Sequence, residues 1–298
     1  MTIFAGKSRL MIYLLFAIAA STLILVSFKV FERLGIDSFT AITVNYIIGA
    51  LFGFNYINWN VSAAGILSSD WFPLSALTGV ILISGFVLFS LSAQKAGVAI
   101  TAISSRMAVI ISVILGILIF GDSAGIVKIS GICLAILAFY LTLKKGKNER
   151  PPLSIMLLPL AVFLFMGLND VILKVTQYYF IGNSNENEMV SYAATSFLFG
   201  FLLGIPVAGY RYFVKHQPVK IKALGAGIIL GLLNWFSTYY LLKGLAVMEV
   251  SVFIPLLNIS VVTISSLIGF FIFREKLSLI NRIGIATAII AIIFIARG

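Results

Sequence analysis

Five apolar stretches are followed by five more that repeat them, and the oddness of that number constrains the fold more than any other feature of the chain. Phe120-Gly121-Asp122, with Gly131 nine residues on, recurs as Phe273-Arg274-Glu275, with Gly284 nine residues on, a shift of 153 in both cases. Gly49 and Gly53 recur as Gly200 and Gly204, shifted by 151, and Lys29 recurs as Lys174, shifted by 145. A unit that crosses a membrane an odd number of times must enter the opposite way round in its second copy. The spacing therefore predicts an inverted-topology repeat, the architecture of many secondary transporters.

Composition supports the membrane placement. Hydrophobic residues make up 61% and charged residues 10% of the 298, with a mean hydropathy of +1.12. Soluble domains carry roughly 25% charged residues, so this chain cannot clothe a water-exposed surface. Spans are expected near 10–29, 37–57, 73–94, 97–120, 125–143, 153–174, 189–210, 222–243, 249–272 and 278–296. Most reach the ~20 residues a helix needs to cross the hydrocarbon layer. Helices are expected because backbone polar groups in lipid must pair within the segment, and barrel-like alternation is absent. The expected fold is thus all-α and integral to the membrane, with ten transmembrane helices as two inverted five-helix repeats. The first repeat covers residues 1–145 and the second 153–298, with a charged linker at 146–152 closed by Pro151 and Pro152. The first span, a member of the repeat and too long for a signal-peptide core, is expected to stay.

The net charge of +11 invites a nucleic-acid partner, but Lys and Arg gather at span ends, as a membrane protein requires. No nucleic-acid partner is expected. Odd-numbered connections hold fourteen Lys and Arg, and the opposite side, with both termini, holds six. Taken alone, that bias puts the odd connections in the cytoplasm and the termini outside. Cys133 is the only cysteine and lies mid-span, and His216 is the only histidine and lies in a basic loop, so no disulfide, metal or cofactor is expected. No HExxH motif is present. The chain is therefore expected not to be an enzyme; a membrane enzyme acting on lipid-linked substrates, or a non-transporting scaffold, is the alternative.

Polar side chains at membrane depth need a reason, since Arg or Asp there costs ~2.5–3.5 kcal/mol on insertion scales. Asn45, Arg106, Asn169, Asp170, Asn234 and Asn258 fall inside spans. The amides either join helices or line a cavity. Arg106 either makes a structural pair or meets an anionic or carboxylate-bearing substrate. Asp170 and Glu249 are candidate coupling or amine-binding acids, or plain interface charges. Trp235 and Tyr239 follow Asn234 and either pack or line the same cavity, whereas Trp59 and Trp71, at span ends, read as interfacial belt residues. Pro255 can interrupt span nine and expose a carbonyl. GxxxG pairs at Gly49/Gly53, Gly200/Gly204 and Gly227/Gly231 predict close helix packing.

These residues carry a resemblance. Gly121-Asp122 with Gly131, Arg274-Glu275 with Gly284, and Lys29 and Lys174 at the ends of the first spans resemble the EamA-type members of the drug/metabolite transporter superfamily. The departures are Asp for Glu at 122, Arg for Gly at 274, and no proline in span four opposite Pro255. The resemblance implies a multi-pass inner-membrane carrier that exports small metabolites, often amino acids or related compounds, by alternating access. It implies a central cavity lined by spans from both halves, for which the side chains at membrane depth offer Asn45, Arg106, Asn169, Asn234, Trp235, Tyr239 and Asn258. Its partners would be a small-molecule substrate and the lipid bilayer, with a homodimer as a further option. It also implies cytoplasmic termini, opposite to the charge bias.

Overall fold

The computed structural model describes residues 2–120, 125–143, 153–181, 186–245 and 250–297. Gly121, Asp122, Glu249 and the 146–152 linker, singled out above, lie outside the described residues. The architecture is all-α, and helix covers every apolar stretch. The helices are α1 (Thr2–Leu34), α2 (Ser38–Tyr56), a short α3 (Ala63–Leu67), α4 (Phe72–Lys95), α5 (Val98–Met107) and α6 (Val109–Phe120). They continue as α7 (Ile126–Leu143), α8 (Leu153–Thr176) with a π turn to Ile181, α9 (Glu186–Phe213), α10 (Ile221–Leu245), α11 (Val250–Phe271) and α12 (Leu279–Arg297). Among the described residues, seven helical segments are long and apolar enough to cross a membrane. Three shorter apolar ones accompany them, on α7, α11 and α12. The chain is a multi-pass α-helical membrane protein.

Two compact units form, and each takes helices from both sequence halves. One comprises Met1–Lys29, Phe89–Gly167 and Phe236–Gly298; the other comprises Val30–Leu88 and Leu168–Trp235. In the first, Ile103, Met107 and Ile110 pack with Ala135 and Ala138 of α7, Val262 of α11, and Ala288, Ala291 and Ile292 of α12. The alanines and glycines at these crossings let backbones approach where no hydrophobic force draws helices together.

Helix contacts in both units are reciprocal. A Cβ at Gly131 would lie 2.7 Å from the backbone nitrogen of Ile295, and one at Gly284 would lie 2.8 Å from that of Thr142. The repeat shift of 153 carries Gly131 to Gly284 and Thr142 to Ile295. The early part of α7 meets the late part of α12, so the two equivalent helices run antiparallel. The second unit does the same with α2 and α9. Gly49 faces Phe197 and Gly200 faces Tyr46, while Gly53 faces Ala194 and Gly204 faces Thr43. A shift of 151 maps each contact onto its mate. Gly227 and Gly231 of α10 lie against Val44 and Ile48 of α2, so the GxxxG pairs of α2, α9 and α10 sit at helix contacts.

Caps fix where the helices begin. Asp37 precedes α2, and its Oδ2 accepts the Thr40 N–H at 3.1 Å. Before α12, Ser278 and Asn281 bond reciprocally: the Ser278 N–H donates to Asn281 Oδ1 at 3.0 Å, and the Asn281 N–H donates to Ser278 Oγ at 3.2 Å. This is a capping box with Asn in place of Glu. Asn281 Nδ2 also donates to the Thr142 carbonyl at 2.8 Å, satisfying the last turn of α7.

Two expectations are corrected. Trp71 is not a belt residue: it is only 2% exposed, its Nε1 donates to Glu188 Oε1 at 3.0 Å, and its ring stands edge-on to Tyr192. Glu188 supplies the buried indole with a polar partner, which removes the need for the interface. Trp59, by contrast, is exposed and stacks on Phe54. The interruption expected at Pro255 is absent, since α11 runs through it from Val250 to Phe271. Pro255 forgoes only a bond to a first-turn carbonyl. The broken span is the fourth, at Ala108.

Candidate functional site

Arg106 occupies the last turn of α5, two residues before that break. After Ala108 the ladder tightens, with the Ile111 N–H bonding the Ala108 carbonyl three residues back at 3.0 Å. Arg106 Nη1 donates to Asn258 Oδ1 at 3.2 Å. Asn258 sits on α11 and is 6% exposed. The repeat shift of 153 places Arg106 opposite Ile259 and Asn258 opposite Ser105, so the pair joins near-equivalent positions of spans four and nine. The guanidinium is half-buried, and its Nε has no hydrogen-bond partner among the described residues. An anionic oxygen is the group this arrangement can bind.

The second polar pair belongs to the other unit. Asn234 Nδ2 on α10 donates to Asn45 Oδ1 on α2 at 3.2 Å. Asn45 is fully buried, and its own Nδ2 has no partner among the described residues. Trp235 is buried and packs, its ring against the Gly53 cradle and 6.1 Å from the Tyr56 ring. Tyr239 lies beside Tyr240 and under Lys243, whose Nζ is 5.7 Å from its ring centre. On α8, Asn169 is half-buried and Asp170 exposed. The structure therefore joins four of the residues singled out from the sequence into two pairs, each inside one unit.

Two acidic anchors emerge that sequence reasoning did not assign. Gly97, at φ +112°, turns the chain into α5 without a side-chain cap of its own. The cap comes from Glu275 in the α11–α12 connection: Oε1 accepts the Val98 N–H at 2.6 Å and Oε2 accepts the Ala99 N–H at 3.2 Å. Gly97 and Gly269 leave room for this carboxylate, since a Cβ at either would lie within 3.0 Å of it. Burial pushes the Glu275 carboxyl above the ordinary glutamate range; the two amides and the Lys29 charge pull it only part of the way back. Lys29 itself donates to the Gln94 carbonyl, at the C-terminal end of α4. The recurring motif that ends in Glu275 was the available signal.

The second anchor is Asp37, gripped by Arg211 in a bidentate pair of 2.9 and 3.1 Å. Arg211 also donates to Gln217 at 2.9 Å and lies over Phe39. Burial raises the Asp37 carboxyl, but the Thr40 and Arg211 hydrogen bonds and the guanidinium charge outweigh it and hold the group below the ordinary range. The pair closes one end of the α2–α9 contact, beside a cavity of about 350 Å³ that includes His216 and Lys220.

No family model matches this chain. It is similar to an uncharacterized protein of Haemophilus influenzae, with 25% identity over 288 residues that cover 94% of this chain and 95% of that protein.

Proposed function

We propose that the chain is a secondary transporter of the drug/metabolite type, built from two oppositely inserted five-helix halves. It exports small metabolites, amino acids or related compounds among them, across the inner membrane by alternating access. The observation that supports this reading is the reciprocity of the glycine contacts. Equivalent helices of the two halves meet antiparallel, through equivalent residues, in each unit. Halves of like shape and opposite direction can settle into two states of similar energy, each open to one face, and a carrier has a use for that.

Arg106 is the anchor for substrate in this reading. It holds one fixed positive charge beside an interrupted helix, with Asn258 setting its direction. A carboxylate or comparable anionic group pairs with it at membrane depth, where low dielectric strengthens the attraction. Asn45–Asn234 is an interhelical bond that ties α10 to α2.

Counterflow in proteoliposomes tests the proposal. Vesicles preloaded with an unlabelled metabolite should accumulate the labelled compound transiently above equilibrium, across a panel of carboxylate-bearing solutes. Flat traces for every solute, from protein that is folded and correctly inserted, would remove the carrier reading.

A further inference from the structure

A groove of about 330 Å³ runs along the outside of α11 and α12 in the first unit. Leu267 and Phe270 form one wall and Ile285 and Ile289 the other, all apolar. One end is different. Arg282 closes it, with its guanidinium carbon 5.2 Å from the Phe270 ring centre. Arg274 and Lys276 follow in the connection at the same end, and both are exposed. Among the described residues, none of these three cations is paired with a carboxylate. The one acid between them, Glu275, is committed to the Val98 and Ala99 amides. The groove also holds Ser266, which is 8% exposed and whose hydroxyl has no hydrogen-bond partner among the described residues.

We propose that this groove is a binding site for one anionic phospholipid of the surrounding bilayer. Its phosphate lies at Arg282 with Arg274 and Lys276 alongside, its ester region meets the Ser266 hydroxyl, and one acyl chain follows Leu267, Ile285 and Ile289. Each part of the lipid finds its chemical complement in order. Cations stand where the two helices join at the membrane surface, and the Ser266 hydroxyl follows about 7.5 Å below the end of α11 at 1.5 Å per residue, with Thr263 a turn deeper. Apolar walls occupy hydrocarbon depth. Basic pockets between transmembrane helices take anionic headgroups for this reason, and each nearby Lys or Arg contributes about 1 kcal/mol, roughly fivefold. A zwitterionic lipid fits the walls equally well but has its phosphate offset by its own amine. The site should therefore select for headgroup charge rather than for chain length.

Native mass spectrometry of the full-length protein, released from micelles holding equal phosphatidylglycerol and phosphatidylcholine of matched chains, provides the test. The wild type should retain one phosphatidylglycerol, at least fivefold over phosphatidylcholine. Arg282→Gln, a surface change that leaves the helix intact, should cut that preference about fivefold, leaving what Arg274 and Lys276 contribute. Leu267→Trp, which fills the groove, should displace both lipids. Equal retention of the two lipids by the wild type overturns the proposal. So does an Arg282→Gln protein with an undiminished preference for phosphatidylglycerol, or a Leu267→Trp protein that retains it. A charge-independent dimer that Leu267→Trp dissolves would assign the groove to a second copy of the chain and equally overturn it.

Discussion

Gly97 turns with a positive φ so that the first amides of α5 land on the carboxylate of Glu275, a residue 178 positions later in the chain. Removing the acid by Glu275→Ala leaves two buried N–H groups without a partner, each worth about 1–3 kcal/mol. The expected result is a clear loss of thermal stability in detergent, followed by fluorescence of the denatured fraction. Glu275→Gln keeps an acceptor oxygen for one amide and should lose distinctly less. An Ala variant as stable as the wild type would show that the cap contributes nothing.

The same carboxylate should leave a pH signature. Its folded value lies above the ordinary 4.5, so just above that pH the folded protein holds a proton that the unfolded chain has released. Stability from this group is therefore complete below 4.5 and declines as pH rises through the folded value. The apparent melting temperature should fall over that interval, and Glu275→Gln should flatten the slope there.

Arg106→Ala should reduce transport roughly ten- to a hundredfold, the range of one charged hydrogen bond, while folded protein remains abundant in the membrane. Asn258→Ala should give a smaller loss, because Asn258 positions the guanidinium. Initial uptake rates at matched protein levels in vesicles measure both. A drop in expression without a drop in specific activity would assign Arg106 to the fold instead.

Gly284→Ala should destabilise the protein by about 1–3 kcal/mol, the usual effect of forcing an extra methyl into a packed crossing. The new Cβ would stand 2.8 Å from the Thr142 backbone nitrogen. Gly209→Ala is the control, because nothing lies within 4 Å of its Cβ position. That change should be neutral or slightly stabilising, since alanine suits a helix better than glycine. Melting curves of the two variants side by side give the comparison.

Single cysteines in a Cys133→Ser background should report the direction of each half. The connection after α2, at Asn60, and its counterpart after α9, at Lys215, should react with an impermeant maleimide from opposite faces of the membrane. Labelling of both from one face would contradict the inverted arrangement.

Much of this architecture could be read before any coordinates. Length and hydropathy placed helix over every span, and the GxxxG pairs announced close packing on α2, α9 and α10, because only small residues allow such approach; which helices meet there was not legible. Asn258 and Arg106 stood out as costly at membrane depth, and they do meet. What could not be read depends on partners distant in sequence. The break at Ala108 has no Pro or Gly to announce it. The burial of Trp71 depends on Glu188, 117 residues away, and position at a span end gave no hint of it. Asn281 looks like an ordinary first-turn amide until the end of α7 is placed against it.

The pairing of Gly131 with Ile295 has a consequence for biogenesis. Helix α7 enters the bilayer about 150 residues ahead of α12, the helix whose surface it is shaped to grip. Until α12 arrives, the face of α7 around Gly131 lacks the partner it is shaped for. Premature termination anywhere before α12 would therefore strand a helix made 150 or so residues earlier, and quality-control proteases that survey the membrane would meet that orphan first.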